Sequence, residues 1–166
     1  MTIIRTGKGD QGDTQLGAKT FRKGHPLVLL SSALDVAQAH TIALPLNWGE
    51  FKPRELLQEL LFSSGSVLMA RNQREFEAVL QEIGVLMESQ IGFIDSSLED
   101  LTAFIRVFEA NSELMKLRTL LREAECRCVA AHDYLELEAK GLNENLLYML
   151  MCVAKALNIA SDWVFA

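Results

Sequence analysis

Residues 111–140, NSELMKLRTLLREAECRCVAAHDYLELEAK, decide the fold. Leu114, Leu117, Leu121, Ala124 and Cys128 recur at three- and four-residue steps, which lines them along one face of a helix. Asn111 followed by Glu113 suits the opening of that helix, and Gly141 suits its close. A long helix with one apolar stripe needs partners to bury it.

The same period recurs on both sides. Pro26 stands at a helix start, and Leu30, Ala33, Leu34 and Ala37 carry an apolar stripe from Val28 to about Leu44. Pro45, Asn47, Gly49 and Pro53 make a turn. Leu56, Leu57, Leu60 and Leu61 mark a second helix from about Pro53 to Ala70. Phe76, Val79, Leu80, Ile83, Leu86 and Met87 mark a third from about Arg74 to Asp95. Ser96, Ser97 and Asp100 suggest a weak cap for a short segment ending near Phe108, and a final helix spans about Asn143 to Phe165. No stretch alternates with period two for long, so strands are not expected. The expectation is all-α: a five-helix bundle in one domain, with residues 1–25 as an N-terminal loop and 26–166 as the bundle.

The totals narrow the function. The chain has 166 residues, 49% of them hydrophobic, and its mean hydropathy is +0.13. That much apolar surface suggests burial between subunits. A net charge of −6 argues against a nucleic-acid partner. No apolar run is long enough to cross a membrane, and the start Met-Thr-Ile-Ile-Arg lacks a signal peptide's apolar core. Three cysteines, an odd number in apolar or helical context, read as reduced thiols of a cytoplasmic protein. Cys128 and His132 lie four apart, but no further ligands complete a zinc set.

Charged residues flank the apolar stripe of the long helix. Arg118, Arg122 and Glu125 fall at i, i+4 and i+7, while Arg127 lies on the opposite side. Two readings are open: solvated boundary charges, or a two-arginine clamp for an anion with Glu125 orienting it or contacting a metal. Asn158, Ser161 and Asp162 interrupt the apolar final helix, and Asp35 is flanked by apolar residues in the first. Asp35 reads as solvated or as a partner for one of the arginines.

Residues 6–23 hold four of the ten glycines, three threonines and four cations. Glycine turns expose successive amides as an anion nest, and lysines and hydroxyls at its rim suit a polyphosphate. A flexible arm is the other reading.

These pieces occur in the order of a known family. Ile4 to Leu16 resembles the N-terminal loop, I-Y-T-R-x-G-D-x-G-x-T-x-L, of ATP:cobalamin adenosyltransferases of the propanediol-utilisation type. Gly17-Ala18-Lys19 and Lys23 are similar to its G-G-K-x-x-x-K, and Asp35 falls on the aspartate of V-D-E-L. Leu60 to Leu68 is similar to D-L-F-x-L-G-A-D-L, and Leu101 to Ile105 to L-R-S-F-I. Arg118 to Glu125 resembles R-x-x-x-R-R-A-E-R, and Leu157 to Phe165 resembles L-N-R-L-S-D-x-L-F.

The resemblance implies a ferritin-like, cobalamin adenosyltransferase-like bundle assembled as a homotrimer, with nucleotide sites between subunits. It implies transfer of the 5′-deoxyadenosyl group of ATP to cob(I)alamin, releasing triphosphate, with Mg²⁺ on the phosphates and a reductase as a further partner. Thr6, Gly9, Asp10, Gly12, Asp13, Thr14 and Lys23 would bind the nucleotide. Arg118, Arg122, Glu125 and Asn158 would position ATP, Asp35 would pair with Arg118, and Phe104 would press on the corrin. The metal ligands are not implied. Departures are Glu123 and Cys126 where the family has arginines, the loss of its P-G-G turn after Phe104, Ser31-Ser32 for Tyr-Gly, Val36 for a glutamate and Ile159 for an arginine. They motivate the alternatives: a catalytically silent ATP- or corrinoid-binding regulatory subunit, or a plain helical interaction module.

Overall fold

The computed structural model describes residues 11–44, 53–70, 73–86, 112–137 and 144–163. Within them lie five helices: α1 Pro26–Ala43, α2 Pro53–Met69, α3 Gln73–Leu86, α4 Ser112–Leu137 and α5 Glu144–Trp163. The expected third helix beyond Leu86 and the short segment near residues 96–108 lie outside the described residues.

α4 is the axis of the bundle, packing most extensively against α5 and α1, while α2 joins α1 to α3. Leu117, Leu121, Ala124, Cys128 and Ala131 are buried completely along its inner face. Each such leucine contributes about 2 kcal/mol by leaving water. They meet Leu30, Leu34 and Ala37 of α1 and Leu150, Val153 and Leu157 of α5 in one core. α1 and α4 run antiparallel: His25 packs its ring on Tyr134 at one end, and His40 Nε2 lies 3.1 Å from the Glu113 carbonyl at the other. His25 also caps α1, its Nδ1 accepting from Leu27 N at 3.2 Å, with Pro26 in the first turn. Buried hydroxyls bond back one turn, Thr41 to the Ala37 carbonyl at 2.8 Å and Ser64 to that of Leu60 at 2.7 Å.

The expectation of no strands is wrong at the N-terminus. β1 Asp13–Leu16 and β2 Lys19–Arg22 form an antiparallel hairpin, with Asp13 opposite Arg22 and Leu16 opposite Lys19. Four-residue strands are too short for alternation to register in sequence, and a lone hairpin is marginal in water. Docking stabilises it: Leu16 enters the core and Phe21 packs against it. Gly17 begins the two-residue turn at φ +56, where a hairpin turn of the II′ kind takes glycine. A Cβ there would lie 2.7 Å from the Ala70 carbonyl oxygen, so the tip sits hard against the end of α2.

Candidate functional site

The site begins where α4 meets α5. Arg122 and Glu125 lie three residues apart on α4, so their side chains share an edge of its inner face. Arg122 Nη1 donates to Asn158 Oδ1 on α5 at 3.0 Å and stands 3.0 Å from Glu125 Oε2. The second contact is an ion pair off the N–H direction, because Glu125 Oε2 is buried and accepts no hydrogen bond. The Glu125 side chain is 17% exposed, whereas that of Arg122 is 45% exposed and reaches solvent. A buried carboxylate oxygen beside a half-exposed guanidinium can take a donor from one ligand group while the arginine takes an anion from another. Ser161, buried one turn beyond, donates to the Asn158 carbonyl at 2.7 Å.

The Glu125 charge reaches inward as well. Burial first, and that charge second, push the Cys128 thiol from its ordinary 9.0 up to about 12. Cys128 is therefore a core thiol and no thiolate ligand. Arg118 lies half-buried one turn before Arg122.

Glu123 and Arg127 pair at 2.8 Å across one turn, and Cys126 is exposed. Arg127 thus reaches back to Glu123 on the solvent side of α4. His132, Asp133 and Glu136, farther along α4, bring metal-capable atoms within 4.8 Å of one another at the surface.

The hairpin forms a second centre. Gly12 has φ +87, which turns the chain into β1, and its carbonyl accepts from Lys23 N at 2.9 Å. Asp13 pairs with Arg22 at 3.1 Å, Thr14 lies opposite Phe21, and the Lys23 side chain is exposed. Thr6, Gly9, Asp10 and Phe104 lie outside the described residues.

Among the described residues the two centres are set apart along α4. The ring of His25, at the root of the hairpin, packs on Tyr134, whereas Arg122 lies three turns back along α4, about 18 Å at 1.5 Å per residue. Asp35 lies exposed on α1 and makes no ion pair among the described residues, with Arg118 or any other cation. Arg22 and its pairing across the hairpin were missed in sequence. A cation opposite an aspartate is visible only once the register of β1 and β2 is known.

The fold is a helical bundle with a charged seam between α4 and α5 and a glycine-turned hairpin at one end. The sequence profile of the cobalamin adenosyltransferase family matches residues 4–166, and the chain belongs to that family. The family uses ATP and cobalamin as substrates, and the general function is that of a cobalamin adenosyltransferase. A comparison with curated proteins finds no match. Among the described residues no helix is long and apolar enough to cross a membrane.

Proposed function

We propose that the protein transfers the 5′-deoxyadenosyl group of ATP to cob(I)alamin at sites shared between neighbouring copies in a homotrimer, in the cytoplasm. The cobalt–C5′ bond forms with the electron pair of cob(I)alamin as the C5′–oxygen bond breaks, and triphosphate leaves. No protein base is needed. The work of the chain is to orient ATP and to neutralise the leaving group.

The observation that carries the reading is Arg122, held between Asn158 and Glu125 with its outer side open to solvent. Arg122 and Arg118 face the phosphates, and the free oxygen of Glu125 takes a donor from the nucleoside. Asn158 fixes the direction of the guanidinium. Gly12, Asp13, Thr14 and Lys23 of a second copy, with Thr6, Gly9 and Asp10, close over the triphosphate. Mg²⁺ bound on the triphosphate would help to neutralise the leaving group with few protein ligands. That fits a hairpin whose described carboxylate, Asp13, is already paired with Arg22. Asp35, exposed on α1, pairs with Arg118 of the next copy, and Phe104 presses on the corrin face. A reductase supplies cob(I)alamin.

A second reading draws on Cys126 and the Glu123–Arg127 pair. With a thiol at Cys126 where the resemblance expects an arginine, the chain would bind ATP or a corrinoid as a silent partner subunit.

The deciding assay incubates the protein with MgATP and chemically reduced cob(I)alamin and follows the corrinoid spectrum. Adenosylcobalamin forms with the wild type and is lost in Arg122→Ala, which keeps the assembly of the wild type. Full activity in Arg122→Ala would sink the site assignment. Stabilisation by MgATP without product in the wild type would favour the silent subunit.

A further inference from the structure

We infer that Arg22 is a positioning residue for the nucleotide, acting through the Gly12 turn. The inference rests on the proposed binding of ATP triphosphate by the hairpin.

Arg22 is the last residue of β2, opposite Asp13, the first of β1. Its Nη1 donates to the Gln11 carbonyl at 3.0 Å and to Asp13 Oδ1 at 3.1 Å. One guanidinium nitrogen therefore ties both flanks of Gly12. The guanidinium also covers the turn itself: a Cβ on Gly12 would lie 3.4 Å from Arg22 Nη2 and 3.5 Å from its central carbon. On the other strand edge, Lys23 N donates to the Gly12 carbonyl at 2.9 Å. The turn is thus held on both sides, from the Arg22 side chain and from the backbone that follows it.

Two consequences bear on an anion. The Gly12 carbonyl is taken up by Lys23 N, so that acceptor is not left free to oppose an anion. The Asp13 carboxylate, which would repel a triphosphate, is neutralised by its arginine. Arg22 thereby sets the shape of the cradle and removes its one described opposing charge. It does so from the surface, with its side chain 75% exposed and that of Asp13 46% exposed. A pair so exposed adds little to the stability of the fold. Its effect falls on the conformation and charge of the turn.

The test compares wild type with Arg22→Gln and Arg22→Lys. Calorimetry gives the MgATP Kd, steady-state assays give KM and kcat for both substrates, and thermal unfolding without ligand gives Tm. In Arg22→Gln the Kd and KM for MgATP rise about tenfold, kcat stays within about twofold and the corrinoid KM is unchanged, the pattern of lost ground-state binding. Arg22→Lys keeps the charge and recovers most of the affinity. Tm moves by less than about 3 °C in both. A wild type that binds MgATP beside an Arg22→Gln variant that binds it equally well overturns the role of Arg22 alone. So does a Tm loss well beyond 3 °C, which makes the residue structural. A wild type that binds no MgATP overturns the nucleotide reading itself.

Discussion

At Gly17 the absence of a single carbon decides where the hairpin sits. Its φ of +56 lies in the left-handed region, which costs an L side chain about 1–2 kcal/mol. The would-be Cβ meets the Ala70 carbonyl oxygen at 2.7 Å and that of Met69 at 3.1 Å, both backbone atoms that cannot swing aside. Gly17→Ala must therefore push the hairpin tip off the end of α2. Urea unfolding should show a loss of roughly 1–3 kcal/mol, and MgATP affinity should fall with it as the cradle shifts. An unchanged midpoint and affinity would mean that the tip is not docked. The residue-scale signals differ in how well they can be read in sequence. The Arg122 and Glu125 pairing is legible because i,i+3 neighbours on a helix share an edge whatever the helix packs against. The Gly12 and Arg22 pairing is not, because it depends on the register of a hairpin.

At the scale of elements, α4 is the most legible part of the chain. Its stripe from Leu117 to Cys128 is uninterrupted and every member is buried. The hairpin left no comparable pattern, for DTQL and KTFR each place only one large apolar residue, Leu16 or Phe21, toward the core. Long-range docking supplies what periodicity does not. Burial in the α4 stripe, and secondarily the charge of Glu125 beside it, hold the Cys128 thiol protonated. Cys128 titrates near 9.0 when exposed and at about 12 when folded. Above pH 9 the unfolded chain loses that proton while the folded chain keeps it. Stability present below pH 9 is therefore lost as pH rises toward 12, by up to about 1.4 kcal/mol per pH unit from this group. Urea midpoints measured at pH 8 and pH 10.5 should fall more steeply for wild type than for Cys128→Ala. Equal falls would mean that the Cys128 thiol is not buried.

Across the whole molecule, the two halves of the candidate site lie about three turns of α4 apart. The chain also leaves large apolar side chains in water: Val36 and Ile42 on α1, Phe62 and Met69 on α2, Tyr148 and Met151 on α5. Such surface is available for contact between copies. Sequence order hinted at a shared site only through the family resemblance, since no periodicity says which copy a loop will visit. Under the proposed trimer, the hairpin of one copy completes the Arg122 centre of the next. Lys23→Ala damages the first half and Arg122→Ala the second, so each variant alone should be inactive. When the two are unfolded together in equal amounts and refolded, each site draws its halves at random from two kinds of chain. About a quarter of the sites then combine an intact hairpin with an intact Arg122, and about a quarter of wild-type activity should return. Variants refolded separately and then mixed should stay inactive as long as the subunits do not exchange. If co-refolding restores nothing while the mixed assembly forms, both halves act within one chain and the shared site is wrong.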